Sequence, residues 1–363
     1  MKPLLLAPGP TPLPPSVRRA LSREIIHHRG REFKEIFEGL VTALKRTFRT
    51  AGEVLLMTGS GTAAMESSVV NLLSPGDEAV VSSTGVFGDR FAEILAAYGA
   101  KPVLLRRPLG ESADPDEIRR ALRDHPGAKA VFFQHAETST GVLNDAESLA
   151  KAVRESSQAL VVVDAISSLG VERLEMDAWG LDAVVSASQK GMMNAPGLSF
   201  AALSGRALAR LDEAKSPRFY LDWRTMRRYA PLGQSPYTPA IPLVAGQREA
   251  LRLIEREGLE NVWARIAKLS RFSLERAASL GFAPLARHPT HGLSALVPPK
   301  GEDAARLIES LREEGVWIAH GQKELKGKII RVAHMGYIRK ADLARAYAAV
   351  EMRLGRTSTP VRA

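Results

Sequence analysis

The chain has 363 residues, 45 % of them hydrophobic and 25 % charged, which is ordinary globular composition at a length that implies two domains and excludes whole-chain disorder, collagen and coiled coil. Cysteine is absent, so disulfides, Cys-ligated zinc, iron–sulfur clusters and a thiol nucleophile are excluded. The net charge of +10 fits either dispersed surface charge or an acidic partner, and nucleic acid is disfavoured as that partner against a phosphorylated small molecule, because the basic pairs are scattered, lack interleaved aromatics and form no zinc-finger, RNP or basic-helix pattern.

The eight histidines include no pair at metal-ligand spacing, and no metal is expected. The N-terminal prolines begin too early for a signal-peptide core, and no apolar run approaches the ~18–20 residues that span a bilayer. The expected location is cytoplasmic, with no membrane partner.

Residues 7–15, APGPTPLPP, cannot form a regular helix, because proline lacks an amide and fixes φ. Residues 1–15 are read as an extended arm. From Phe33 the apolar positions Ile36, Phe37, Leu40, Val41, Leu44 and Phe48 follow helical spacing and predict an amphipathic helix. Strand-length apolar runs then recur at Val54–Met57, Ala79–Ser82, Pro102–Leu105, Ala130–Phe133, Leu160–Val163, Ala183–Ser186 and Ser199–Leu203. Helical stretches such as Phe91–Tyr98, Asp116–Arg123 and Ala146–Glu155 lie between them. Runs such as LVVVD and AVFF do not alternate, which marks strands buried on both faces. The fold class is therefore α/β: a large domain, 16–258, with a mostly parallel seven-stranded sheet covered by helices. After Gly258, helical patterns at Asn261–Leu280, Asp303–Glu314 and Lys340–Leu354 enclose short strands near Ser294–Val297, Trp317–Ala319 and Ile329–Val332. These predict a smaller α+β domain, 259–363, whose last residues, GRTSTPVRA, are expected to fray.

Three places carry chemistry. Gly59-Ser60-Gly61-Thr62 follows a strand and opens a helix, so free amides and the positive dipole end face an anion. A plain βα turn gives the same pattern. Gly59-x-Gly61-x-x-Ala64 also fits a dinucleotide fingerprint, but the next strand ends in Ser82 and Ser83 where a ribose-binding acid is needed, which disfavours a nicotinamide dehydrogenase. Asp164 ends the strand LVVVD, where open α/β sheets bind ligands; a helix cap is the bland alternative. Lys190, past the strand AVVSAS, sits where desolvation frees an amine for Schiff-base chemistry, although a lone lysine is usually surface charge. Together an anion cradle, a lysine and a carboxylate match the needs of pyridoxal 5'-phosphate.

The segments LLLAPGPTPLPPSV, GSGTAAMES, SPGDEAVV, GVFGDR, HAETSTGV, VVVDAISSLG, SASQKGMMNAPGLSF, YTPAIPLVAGQREAL and GKIIRVAHMG resemble class V aminotransferases of the serine–pyruvate/alanine–glyoxylate type, of pyridoxal-phosphate fold type I. The run SxSQK, with DAxSSLG before it and PGLxF after it, is the most specific. The resemblance implies that Lys190 bonds the cofactor and shuttles the α-proton, and that Asp164 pairs with the pyridinium nitrogen. It implies phosphate contacts from Ser60, Gly61, Thr62 and Gln189. Phe87 is expected to stack on one ring face, Ile166 on the other, and Thr138 to sit near the ring hydroxyl. Arg331 is expected to bind the substrate carboxylate, although a structural salt bridge would also explain an arginine inside an apolar strand. Tyr237 or Thr238 is expected to reach a neighbouring subunit's cofactor phosphate, hence a homodimer with shared sites; some relatives have threonine at the place of Ala240. Gly9 is expected near the substrate.

The implied reaction is a ping-pong transfer from a small amino acid, serine or alanine, to a 2-oxo acid, glyoxylate or pyruvate. Cysteine desulfurases of the usual type are excluded by the absent cysteine. Phosphoserine transamination is a rival, because IIHHRGREF resembles a phosphate-binding segment in phosphoserine aminotransferases, with His28, Arg29 and Arg31 as candidates. Helix-entry packing explains the same residues. Aspartate with 2-oxoglutarate is a further alternative, and a non-catalytic binding protein would have lost Lys190.

Overall fold

The computed structural model describes residues 3–355; the C-terminal segment expected to fray lies, beyond Gly355, outside them. The strands are β1 (Leu4–Leu5), β2 (Glu53–Thr58), β3 (Glu78–Ser83), β4 (Lys101–Arg106), β5 (Ala130–Gln134), the hairpin β6 (Ala136–Glu137) and β7 (Val142–Leu143), β8 (Leu160–Asp164), β9 (Ala183–Ala187) and β10 (Leu198–Leu203). Beyond them come β11 (Ala283–Pro284), β12 (Leu293–Val297), β13 (Val316–Trp317), β14 (Ala319–His320) and β15 (Ile330–Ala333). The helices are α1 (Pro15–Leu21), α2 (Arg31–Phe48), α3 (Gly61–Leu72), α4 (Val86–Ala97), α5 (Pro115–Asp124), α6 (Ala146–Ser156), α7 (Gly205–Arg210), α8 (Trp223–Tyr229), α9 (Ile241–Glu257), α10 (Leu259–Ser279), α11 (Ala304–Glu313) and α12 (Lys340–Arg353).

All seven apolar runs form one sheet in the order β2-β10-β9-β8-β5-β3-β4. Every neighbouring pair is parallel except those made by β10, which runs antiparallel to both β2 and β9. β5, β8, β9 and β10 are buried along their whole length, as their non-alternating sequences predict. Period-2 geometry divides each strand between two cores. Val131 and Phe133 join residues of α2, α5, α6 and α9 on one face, whereas Ala130 and Phe132 join residues of α3, α4, α7 and α8 on the other. β3 and β5 are neighbours, yet the chain leaves β3 for the edge strand β4 and leaves β5 for β8. Such a reversal opens a crevice at the carboxyl ends of the strands.

The second sheet, β11-β12-β15-β14, is antiparallel and packs on α10, α11 and α12. α9 and α10 are separated by Gly258, whose φ of 85° favours glycine. The single strand expected at Trp317–Ala319 is two: β13 pairs with β1 and β14 with β15, because the backbone changes partners at Ile318. The arm is therefore fixed to this sheet. Leu6 is fully buried, donates to the Trp317 carbonyl at 2.8 Å and accepts from the Ala333 amide at 2.7 Å. Pro15 opens α1 at its first turn, where a missing amide costs nothing. α4 begins at Val86, five residues before the expected Phe91. Its first turn contains Gly88 and is held by a distant carboxylate, signals that apolar periodicity does not carry.

Phe132 is wholly buried, with its ring 5.0 Å from that of Phe91. Phe132→Ala is expected to lower unfolding stability by about 3–5 kcal/mol through lost transfer energy and a residual cavity. Urea titration at constant m-value measures it, and a loss under about 1 kcal/mol would contradict this account of the core.

Candidate functional site

The crevice gathers side chains from four parts of the chain. Asp164 is the last residue of β8, in register with Gln134 of β5 and Val185 of β9. It is 5 % exposed, and its Oδ1 accepts from the Ile166 amide at 2.7 Å. Burial pushes its carboxyl up to about 7, and the Glu137 carboxylate adds to this while Lys190 and Arg90 oppose it. Lys190 follows β9 by three residues, and its Nζ donates to the Pro8 carbonyl of the arm. Burial, then the positive charge of Arg331, lowers its amine to about 8. Arg331 lies in β15, 7 % exposed. Its Nε donates to the His320 carbonyl and its Nη1 to the Thr138 carbonyl, both at 2.8 Å. Carbonyls receive both bonds, so an anion is still needed to meet the buried charge.

The arm closes one side of this group. A Cβ on Gly9 would lie 2.5 Å from Cδ, Cε and Nζ of Lys190, and its φ of +116° is also unsuited to other residues. Thr11 fixes the backbone beneath: its amide donates to the Gln189 carbonyl at 3.0 Å and its Oγ1 to the Lys190 carbonyl at 3.0 Å.

Ser60 is the exposed N-cap of α3 and makes no side-chain cap bond; the first turn carries no acid. Its amides and hydroxyl thus remain available to an anion. A Cβ on Gly61 would come 2.7 Å from Ile166 Cδ1, so glycine brings α3 against Ile166. Thr62 Oγ1 accepts from Arg90 Nη1 at 3.1 Å, and the Arg90 guanidinium lies 4.7 Å from the centre of the Phe87 ring. Gln189 Oε1 is buried without a hydrogen-bond partner. Thr138 is 1 % exposed and contributes its carbonyl to Arg331.

Other expected residues stand apart. Arg29 donates to Gln234 Oε1 at 2.5 Å, Ser235 O at 3.1 Å and Pro236 O at 3.3 Å, and lies 5.4 Å from the Tyr229 ring centre. Its guanidinium is thus engaged by the loop before Tyr237. The His28 ring lies 5.1 Å from that of His27, and burial followed by Arg29 and His27 lowers its pKa. Tyr237 stacks on Tyr220 with ring centres 5.2 Å apart and donates to the Phe219 carbonyl at 3.4 Å, while Thr238 is exposed. Within the described residues, no hydrogen bond joins this segment to Lys190, Asp164 or Arg331. Periodicity and strand-end reasoning missed Arg90, Thr11 and Glu137. For Glu137 there was a signal: an acid between an apolar strand and three hydroxyl residues.

The residues present fit pyridoxal phosphate. Asp164 is a buried carboxylate without a cation in hydrogen-bond contact, Lys190 a desolvated amine, and Ser60, Gly61, Thr62 and Gln189 an anion cradle with an orphaned polar atom. Phe87 and Ile166 supply apolar surface for a ring.

A family model described as Aminotransferase class-V matches residues 4–345. A Synechococcus protein called "Soluble hydrogenase, small subunit" is 38 % identical over 96 % of this chain and 92 % of its own length. Among solved structures, the aspartate aminotransferase of Thermus thermophilus superposes with a TM-score of 0.90 at 36 % identity, covering 96 % of this chain and 99 % of that one. The alanine–glyoxylate aminotransferase of a Nostoc species gives a TM-score of 0.93 at 32 % identity, covering 98 % and 96 %.

The electrostatics of Asp164 give a signed expectation for the cofactor-free protein. Between its ordinary value of 3.8 and about 7, the folded state keeps a proton that the unfolded state releases, so stability falls as pH rises through that window. Asp164→Asn removes this penalty. The variant is expected to melt above the parent at pH 8, with the difference shrinking below about pH 4. Equal melting temperatures at pH 8, by calorimetry, would show that the carboxylate is not strained by burial.

Proposed function

The chain belongs to the class-V aminotransferases, which depend on pyridoxal phosphate, and from that premise we propose that it transfers the amino group of a small amino acid, serine or alanine, to glyoxylate or pyruvate. The observation that carries the reading is the group made by Asp164 at the end of β8, Lys190 just past β9, and Arg331 within β15. Bound there, pyridoxal phosphate supplies an electron sink for the electrons of the broken Cα–H bond. Asp164 would hold a proton on the ring nitrogen. Ser60, Gly61, Thr62 and Gln189 would hold the phosphate, Phe87 and Ile166 would supply the apolar surface about the ring, and Thr138 would serve its hydroxyl. Lys190, with its pKa lowered toward 8, takes the α-proton and returns it. Arg331 clamps the α-carboxylate, and Gly9, whose missing side chain makes room for Lys190, brings the arm beside the substrate. Amino acid and 2-oxo acid both carry that carboxylate, so one site serves both in turn, which is the basis for a ping-pong order.

Arg29 favours a donor without a phosphate over phosphoserine, because Nη1 and Nη2 of its guanidinium already donate to the loop at 234–236. Aspartate with 2-oxoglutarate is the second reading, favoured by the likeness to the Thermus enzyme. We also propose a homodimer in which Tyr237 or Thr238 reaches the second copy's phosphate. Phe219 is 80 % exposed and Leu232 52 %, an apolar surface next to that segment that a second copy would cover. The division into an arm of 1–15, a large domain of 16–258 and a small domain of 259–363 is proposed with it. Its support is the two separate sheets and the turn at Gly258. Among the described residues no helix is long and apolar enough to cross a membrane.

Lys190→Ala is expected to abolish transamination and the borohydride-fixed cofactor adduct. Arg331→Ala is expected to raise KM for the amino acid by about 10–100-fold with a smaller change in kcat. Unchanged kinetics for Arg331→Ala would refute the carboxylate assignment. A panel of alanine, serine, aspartate and phosphoserine against glyoxylate, pyruvate and 2-oxoglutarate decides the substrates; faster turnover of phosphoserine than of alanine and serine would overturn the role given to Arg29.

A further inference from the structure

Glu137, the last residue of β6, is fully buried and has no part in the chemistry described above. Its Oε2 accepts from the Phe87 amide at 2.9 Å and the Gly88 amide at 3.2 Å. Its Oε1 accepts from the Ser139 amide at 2.9 Å and from Ser139 Oγ at 2.7 Å. Ser139 Oγ in turn accepts from the Val86 amide at 3.0 Å. One carboxylate thus ties the first turn of α4 to the turn after β6, where a negative charge also meets the positive end of the helix dipole. The chain makes room for it: a Cβ on Gly85 would lie 2.3 Å from Ser139 Oγ and 2.7 Å from Glu137 Cγ.

The two pieces joined this way have different duties. α4 carries Phe87, the ring-stacking side chain. The turn carries Thr138, whose carbonyl holds the Arg331 guanidinium. We propose that Glu137 is a positioning residue that sets cofactor stacking and substrate-carboxylate binding together, by fixing Phe87 through its amide and Arg331 through the Thr138 carbonyl. This rests on the transaminase reading of the site. Burial pushes the Glu137 carboxyl up, and the hydrogen bonds from Ser139, Gly88 and Phe87 oppose that rise, so the same contacts that fix the two pieces also favour the carboxylate.

Glu137→Gln keeps the shape but replaces one acceptor oxygen with an amide donor, so two of the four N–H or O–H donors lose their partner. Three measurements are expected to move together. Hydrogen exchange at Phe87 and Gly88 in the cofactor-free protein accelerates by about 10-fold. The dissociation constant for pyridoxal phosphate rises by about 10-fold, and KM for the amino donor by about 10-fold, with kcat within about 3-fold. A merely structural role would lower the melting temperature and leave the cofactor affinity and KM of the folded protein unchanged, and that result overturns the proposal. Should Glu137→Gln fail to fold, Ser139→Ala removes one donor and is expected to move the same three readouts by about 3-fold; no movement in it also overturns the proposal. A parent protein that does not bind the cofactor brings down the reading of function and this inference with it. A parent that binds and turns over while Glu137→Gln matches it brings down this inference alone.

Discussion

The site depends on holding two cations and two carboxylates in one water-poor cleft. Arg331, Asp164 and Glu137 are buried, and Lys190 is half-buried beside them. A lone charge there would be prohibitively costly. Burial sets the direction of each shift: it lowers the lysine to about 8 and raises Asp164 to about 7. Charges of opposite sign across the cleft restrain those shifts without removing them. The result is an amine that can be neutral near neutral pH and an acid waiting for a cationic partner.

Backbone packing produces the dryness. β8 ends at Asp164 and β9 at Ala187, so the polar groups emerge where strands give way to turns. The arm then covers them from the other side of the chain. It is secured at Leu6, which bonds to Ala333 of the second sheet and to Trp317, and at Thr11 beneath Lys190, with Gly9 in van der Waals reach of the lysine. Gly9, Gly61 and Gly85 have a common purpose, since each gives up its side chain so that a neighbour can occupy the space: Lys190, Ile166 and Ser139 with Glu137 respectively.

Much of this was legible in the residue order. Continuous apolar runs identified seven strands because parallel strands are buried on both faces and need no alternation. Asp164, Lys190 and the Gly59–Thr62 turn were singled out because ligand groups gather where such strands end. The start of α4 was not found, because the carboxylate holding its first turn comes from residue 137. The strand near Trp317 was read as one element, because the sequence does not say that its two halves pair with different neighbours. For Arg29 the residue order allowed either a phosphate ligand or helix-entry packing, and its three hydrogen bonds to Gln234, Ser235 and Pro236 are contacts that only the fold supplies.

The sequence by itself determined the layered α/β architecture and the residue types capable of chemistry, because periodicity, proline and glycine placement, and the lack of cysteine are local properties. Tertiary structure alone decided which of those groups meet. Arg331 reaches Thr138 across 193 positions and Lys190 reaches Pro8 across 182. Contacts at that separation depend on how the sheets and the arm pack. The charge state of each group follows from that packing too, since desolvation is a property of the surroundings and not of the residue.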